Sequence, residues 1–124
     1  MKSIFITLKL KDYPESLDYC YDAEEALSKL EKSISVDPES RRIESDYCLV
    51  LSDLNMPIMD GYEFAKRAKR LLNQNRIPKD RHPKLVAVTG NVESAYIRRC
   101  FECHFDQVFS KPIYSENISL LALE

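Results

Sequence analysis

The chain has 124 residues, a length that fits one domain and leaves no room for two. Its net charge is only −2, so a strongly basic surface of the kind that binds nucleic acids is not expected. There is no apolar run of the roughly 20 residues that span a bilayer and no signal-peptide cleavage pattern, so we expect a cytoplasmic protein without membrane contacts, with its four cysteines reduced.

The first part of the chain carries two alternating segments and a helical one. Apolar residues recur at every second position of residues 4–10, a period that favours a strand. The segment LDYCY, from Leu17, also alternates and is a weaker strand candidate. DAEEALSKL then predicts a helix, with Asp22 as its N-cap and Glu25 three residues later, an arrangement that resembles a capping box. The polar residues 37–42 predict a surface loop.

Two buried strands dominate the second part of the chain. YCLVLS (47–52) and KLVAVT (84–89) are almost continuous apolar runs, typical of parallel strands covered on both faces. Residues 106–110 are a weaker strand candidate. Helical patterns cover residues 62–72, 92–101 and 115–123, and a polar loop with two prolines covers 73–83. This alternation predicts an α/β fold with a parallel sheet, and the presence of only two glycines argues against an all-β fold.

Polar side chains stand at the carboxyl ends of three predicted strands. Asp53 follows the 47–52 strand, Thr89 ends the 84–89 strand, and Lys111 follows the 106–110 strand. Ligands of parallel α/β sheets bind at this end, where a carboxylate, a hydroxyl and an ammonium would meet. A carboxylate can attack phosphorus while the other two groups hold the transferred oxygens. Each residue alone is explained as an ordinary strand-end polar group, but the three in order indicate a phosphate or metal site.

The stretch CLVLSDLNMPIMDGYEF resembles the phosphorylation segment of response-regulator receiver domains, especially those attached to eukaryotic or hybrid histidine kinases. VAVTGN and VFSKPI resemble the ends of the family's fourth and fifth strands, and YDAEEALSKL resembles its second strand and helix. The resemblance implies a flavodoxin-like parallel sheet of order 2-1-3-4-5, with helices on both faces. It also implies a phosphoacceptor in a phosphorelay, not an enzyme.

The resemblance assigns roles to individual residues. Asp53 matches the phosphoacceptor, Thr89 the switch hydroxyl, and Lys111 the contact to the phosphoryl group, followed by Pro112 in a usually cis peptide bond. The family position of the Mg²⁺ cofactor implies Asp53 and the backbone carbonyl of Asn55 as ligands. The implied partner is a histidine kinase or a histidine phosphotransfer protein, or other domains of a hybrid kinase.

The N-terminal segment departs from the family. A complete receiver begins with a strand ending in two adjacent acidic residues that bind Mg²⁺, and no such pair precedes Leu17. Counting back from LDYCYDAEEAL aligns residues 4–13 with the end of the family's first helix, and residues 11–16 are too few for a parallel crossover. We therefore expect residues 1–124 to form a receiver without its first strand, incomplete at the N-terminus. Its stability would be marginal and its Mg²⁺ binding weak or absent.

Other interpretations stay open. The chain could be a degenerate receiver that binds partners without phosphorylation, or a fragment of a longer hybrid histidine kinase. CFECH (100–104) fits the pattern of covalent haem attachment, but that chemistry needs an exported chain. Cys100 and Cys103 could also form a redox or zinc pair, although zinc needs four ligands. The simplest interpretation is two small packed or surface cysteines.

Overall fold

The computed structural model describes residues 2–6, 17–54, 59–91 and 93–112. The predicted helix over residues 115–123 lies outside these ranges. The elements in chain order are β1 Lys2–Ile6, β2 Leu17–Cys20, α1 Ala23–Lys32, β3 Ile34–Val36, β4 Ile43–Ser45, β5 Tyr47–Asp53, α2 Gly61–Gln74, a short 3₁₀ helix Lys79–Arg81, β6 Lys84–Thr89, α3 Ser94–Glu102 and β7 Gln107–Ser110.

Five of the strands form one parallel sheet in the order β2-β1-β5-β6-β7. Because β5, β6 and β7 are the third to fifth strands of this sheet, the order is the 2-1-3-4-5 order that the resemblance implied. The parallel α/β prediction is therefore confirmed. The strands predicted over 47–52 and 84–89 correspond to β5 and β6, and both are buried along almost their whole length.

The expectation that the first strand is missing is wrong. β1 lies between β2 and β5 and pairs with both, with Ile4 opposite Asp18 and Val50. Ile4 and Ile6 are fully buried in the main core. Alternating side chains of a strand point to opposite faces, so two apolar residues at positions i and i+2 enter the same core. With β1 in place, the sheet between β2 and β5 is complete, and the reason for expecting marginal stability disappears.

The two longer helices begin at aspartates that cap them, and both bury an apolar face. The side chain of Asp22 accepts a hydrogen bond from the Glu25 N–H at 2.8 Å, and that of Asp60 accepts one from the Glu63 N–H at 2.9 Å. These bonds satisfy N–H groups that have no partner inside a helix. The buried faces consist mainly of Ala23, Ala26 and Leu30 in α1, and of Phe64, Ala65, Ala68 and Leu72 in α2.

The loop predicted over residues 37–42 is the tip of an antiparallel hairpin, formed by β3 and β4. The Asp37 N–H donates to the Arg42 carbonyl at 2.8 Å, and the Asp37 carboxylate accepts from the Ser40 hydroxyl at 2.9 Å. Arg41 adopts the left-handed conformation, with φ 57°. This hairpin turn contains no glycine. The hydrogen bonds of Asp37 and the positive φ of Arg41 form it instead.

The two faces of the sheet carry two buried clusters of side chains. The larger cluster joins residues from β1, β5 and β6 to the inward faces of α1, α2 and α3. The smaller cluster, on the opposite face, consists of Leu49, Leu51, Val86 and Val88. Because β5 and β6 are packed on both faces, the residues at their carboxyl ends start from a rigid support.

Candidate functional site

Asp53 is the last residue of β5, where the apolar run of this strand reaches the carboxyl end of the sheet. Only 7% of its surface is exposed. Helix α2 begins close by, because the Gly61 N–H donates to the Leu54 carbonyl at 3.1 Å. A Cβ at Gly61 would lie 2.9 Å from the Leu54 Cα and 3.0 Å from the Asp53 carbonyl oxygen, which is too close for either contact to stay unchanged. The glycine therefore allows α2 and β5 to approach each other.

Lys111 makes a direct ion pair with Asp53. Its Nζ lies 2.7 Å from the Asp53 Oδ2, although the two residues are 58 positions apart. The Lys111 N–H also donates to the Thr89 carbonyl at 2.9 Å, which fixes the backbone just beyond β7. The Lys111–Pro112 peptide bond is cis, as the resemblance implied. The ammonium thus meets a nearly buried carboxylate while 39% of the lysine side chain remains exposed.

Thr89 ends β6, the strand between β5 and β7. It is 4% exposed and lies opposite Ser110 in the sheet register. Its hydroxyl accepts a hydrogen bond from the Asn91 N–H at 3.0 Å. Asp53 itself lies opposite Val88, one residue before Thr89. The three side chains named from sequence therefore occupy the same end of three consecutive strands, and two of them are in contact.

Comparison with known proteins identifies the fold and the motifs together. The family model described as the response regulator receiver domain matches residues 4–122. This chain belongs to the response-regulator receiver family. Receiver domains are components of two-component phosphorelay signal transduction, so the predicted family and signalling class are confirmed.

Several curated proteins with similar sequences are histidine kinases. The chain is 33% identical over 75 residues to the peroxide stress-activated histidine kinase mak1 of Schizosaccharomyces pombe, a match that covers 60% of this chain and 4% of the kinase. It is 38% identical over 74 residues to histidine kinase 1 of Arabidopsis thaliana, which covers 60% of this chain and 6% of that kinase. The chain thus corresponds to a small part of each relative.

Solved receiver structures share the fold. The receiver domain of the histidine kinase CKI1 from Arabidopsis thaliana, complexed with Mg²⁺, superposes with a TM-score of 0.73 at 15% identity, covering 99% of this chain and 91% of that one. The receiver domain of the Saccharomyces cerevisiae response regulator Ssk1, crystallised with the histidine phosphotransfer protein Ypd1, gives 0.69 at 18% identity, covering 95% and 83%. The flavodoxin-like class is confirmed by these likenesses.

Among the described residues, the donor groups do not complete the family's Mg²⁺ site. Asp53 supplies a carboxylate, but across the described ranges no three His, Cys, Asp or Glu side chains are arranged to hold a metal ion. The sequence that follows β1 is Thr7-Leu8-Lys9, without the two adjacent acids that the family places there. The predicted ligand Asn55 lies outside the described residues. A hard cation needs several oxygen ligands, and one carboxylate does not provide them.

The amino end of the sheet contains polar contacts that sequence did not predict. The His82 ring is half-buried, with Nδ1 3.1 Å from the Lys69 Nζ and Nε2 2.9 Å from the Ile77 carbonyl oxygen. Burial lowers the pKa of both His82 and Lys69. The Tyr47 hydroxyl donates to the Asp18 carboxylate, and burial raises the pKa of this tyrosine. No local motif in the sequence signals these contacts.

The two cysteines of the CFECH segment are packed in the receiver core. Cys100 is fully buried and Cys103 is 3% exposed, and both are free thiols in the main cluster. Burial raises the pKa of the Cys100 thiol, which disfavours the reactive thiolate. This geometry agrees with the interpretation of packed cysteines. Among the helices described, none is both long and apolar enough to cross a bilayer.

Proposed function

We propose that this receiver accepts a phosphoryl group on the Asp53 carboxylate. The donor would be a phosphohistidine on a histidine kinase, on another domain of a hybrid kinase or on a histidine phosphotransfer protein. The observation that carries the proposal is the 2.7 Å contact between the Lys111 ammonium and the Asp53 carboxylate at the carboxyl end of the sheet. Co-crystallisation of the Ssk1 receiver with Ypd1 supports the choice of donor class.

In the proposed reaction, an Asp53 carboxylate oxygen forms a bond to phosphorus while the bond from phosphorus to the donor histidine nitrogen breaks. The imidazole is the leaving group, and the product is an aspartyl phosphate. Negative charge on the phosphoryl oxygens then replaces the carboxylate charge as the partner of the ammonium. The lysine side chain is long and 39% exposed, so it can move from the carboxylate to a phosphoryl oxygen without a backbone change.

Thr89 would report the new charge to the rest of the domain. Its hydroxyl now accepts from the Asn91 N–H, and the same hydroxyl can donate its own hydrogen to a phosphoryl oxygen. Such a contact exists only in the phosphorylated state, so it would shift an equilibrium between two arrangements of the segment leading into α3. Val108 lies three residues before Lys111, at a position where many receivers have an aromatic switch residue. We therefore expect Thr89 to act without an aromatic partner at this position.

A degenerate receiver that binds partners without phosphorylation is the second candidate. One observation favours it: the family's acidic pair is missing from the sequence before Leu17. In that case the ion pair would be a permanent feature that holds the carboxyl end in one arrangement. With the incomplete donor set, phosphotransfer to Asp53 should in any case be slow.

Intact-mass measurement after incubation with acetyl phosphate, with and without Mg²⁺, separates the two candidates. We expect one added phosphoryl group on the wild type and none on Asp53→Asn. Lys111→Gln should react about tenfold more slowly or worse, because a hydrogen bond to a charged group is worth about 1.5–3 kcal/mol. Equal addition to wild type and Asp53→Asn would reject Asp53 as acceptor. No addition to a folded wild type, also from a phosphorylated histidine phosphotransfer protein, would favour the binding module.

A further inference from the structure

A surface groove beside the C-terminal half of α2 has an unusual lining. It encloses about 550 Å³ and is lined by Lys66, Lys69, Arg70, Asn73, Gln74 and His104, which we call the basic groove. Among the described residues, the lining contains cations, amides and an imidazole, but no carboxylate and no aliphatic residue. The whole chain has a net charge of −2, so this concentration of donors is local and not a consequence of overall composition. The groove is therefore suited to an anionic ligand.

Lys66 and Arg70 place two like charges one helical turn apart on α2. Both side chains are exposed, and neither makes an ion pair with any residue in the described ranges. Arg67, on the neighbouring ridge, is instead paired with Glu63 at 3.0 Å. Like charges at positions i and i+4 destabilise a helix, whereas a pair such as Glu63 and Arg67 stabilises it. An anion bound between Lys66 and Arg70 would remove their repulsion.

Lys69 adds a third cation, which has no carboxylate partner at contact distance in the described ranges. Its ammonium lies 3.1 Å from the Nδ1 of His82, a ring nitrogen that offers a lone pair but no charge. The side chain is half-buried, so its positive charge is screened by water less than that of an exposed lysine. Asp106 contributes a more distant favourable charge and Lys79 an unfavourable one. Lys69 thus adds a positive charge to the lining of the basic groove.

His104 is held in a backbone conformation that normally suits glycine. Its φ is 78°, and it follows the last turn of α3, where its N–H donates to the Phe101 carbonyl at 3.1 Å. Helices often end in this way, usually with glycine, because a Cβ is disfavoured at positive φ. Here the position carries an imidazole that lines the basic groove. Arg76 has the same conformation after α2, with φ 60°, but does not line the groove.

We propose that the basic groove binds a short acidic segment of a partner protein, whose carboxylates would face Lys66, Arg70 and His104. Within the part of the chain that the structure describes, the lining offers no aromatic side chain other than the imidazole of His104 on which a nucleic-acid base could stack. Across α2, the adjoining groove is lined by Glu24 and Glu31 as well as by Arg67 and Arg70, so the excess of cations does not continue into it, and the basic groove suits a short anion better than a long one. This site is separate from Asp53 and does not depend on the proposed phosphotransfer.

Fluorescence anisotropy with a labelled glutamate-rich peptide tests the proposal on the full chain. We expect saturable binding at low ionic strength that weakens as salt is added. Lys66→Gln with Arg70→Gln should weaken binding about tenfold, as expected when two cations of an interface lose their charge. The matched control is Arg41→Gln with Arg42→Gln, which removes the same charge from the hairpin tip and should change the affinity less than about twofold. Thermal melts verify that each variant is folded.

A second pair of variants distinguishes the loss of a groove side chain from a change in the backbone of the fold. His104→Gly and Arg76→Gly make the same backbone change after two different helices, but only the first removes a groove side chain. We expect weaker peptide binding for His104→Gly and unchanged binding for Arg76→Gly. If the groove and control variants lost peptide affinity equally, the loss would be explained by net charge alone, and the proposed site would be rejected. The proposal would also fail if the wild type ignored the peptide, or if a single-stranded oligonucleotide bound the same residues more tightly.

Discussion

The two ends of the parallel sheet use polar side chains in opposite ways. At the carboxyl end, Asp53 and Thr89 are buried, and an ion pair joins Asp53 on β5 to Lys111 beyond β7. At the amino end, the Arg81 guanidinium meets the Glu44 carboxylate at 3.2 Å, and both side chains remain about a third or more exposed. The carboxyl end therefore buries the carboxylate of its ion pair, whereas the Arg81–Glu44 pair at the amino end stays in contact with water.

This difference allows the reactivity of the site to be considered separately from the stability of the fold. Burying a carboxylate opposes folding unless it is paired, and even a buried pair is often no more stabilising than apolar residues would be. Under the proposed function, the buried carboxylate at this end serves the reaction of Asp53 and not the stability of the fold. Ion pairs at the amino end connect loops and the hairpin. Because these pairs are exposed, water reduces their contribution to the free energy of unfolding. Substitutions at the two ends should consequently differ in size and in the property they change.

The largest effect is expected for Gly61→Ala, at the carboxyl end. A Cβ there would press on the backbone of Leu54 and Asp53, and backbone atoms cannot move aside as a flexible side chain can. We expect a loss of about 1–3 kcal/mol of unfolding free energy, the usual range for overpacking, together with slower phosphorylation of Asp53. Urea denaturation and the acetyl phosphate assay would measure the two changes.

Gly90→Ala is the matched control for this prediction. A Cβ at Gly90 would meet nothing within 4 Å, and this glycine does not have positive φ. Its replacement should change the unfolding free energy by less than about 1 kcal/mol, in either direction. If Gly61→Ala were equally harmless, the close packing of α2 against the acceptor strand would not be what positions Asp53.

The carboxyl end was predictable from sequence because its signals are local. The apolar run of β5 leads directly into Asp53, and the runs of β6 and β7 lead into Thr89 and Lys111. Once parallel strands are predicted, their ends must lie together. The amino end was missed because its contacts join distant residues: Arg81 and Glu44 are 37 positions apart, and nothing near either one indicates the other.

The error over β1 has a different cause. The alternation of Ile4 and Ile6 correctly indicated a strand, but alignment to the family and the short connection to Leu17 outweighed it. Local periodicity reflects which side chains can enter the core, and both isoleucines are fully buried. The argument from the short connection assumed that the strand extends to residue 10, but β1 ends at Ile6, so residues 7–16 are available to connect it to β2.

An intermediate effect is expected for Tyr47→Phe, at the amino end. The substitution removes the hydroxyl that donates to Asp18 but keeps the ring in the core. Asp18 is partly exposed and water can replace the lost donor, so we expect a loss of about 0.5–1.5 kcal/mol in a denaturation experiment, without a change in phosphorylation rate. Tyr21→Phe, at a ring that is 72% exposed, is the control and should be close to neutral. A slower phosphorylation of Tyr47→Phe would show that the two ends are coupled.

The smallest effect is expected from the pH dependence that His82 gives to the amino end. Burial, Lys69 and Lys79 lower its pKa, against the hydrogen bond to the Ile77 carbonyl and the charge of Asp106. The folded state therefore resists protonation, and this stabilising contribution is complete above about pH 6.5 and is lost as the pH falls through the folded-state pKa.

Thermal melts of wild type and His82→Gln between pH 7.5 and pH 5 would measure this contribution, since other groups titrate in both proteins. Glutamine can still donate to the Ile77 carbonyl but does not titrate. On acidification, we expect the wild type to lose no more than about 2–4 °C of Tm beyond the loss in the variant, because the ring is only half-buried. Parallel pH profiles would mean that the His82 ring does not keep its half-buried position in solution. A much steeper wild-type profile would instead make the amino end as sensitive to charge as the carboxyl end, and the contrast between them would fail.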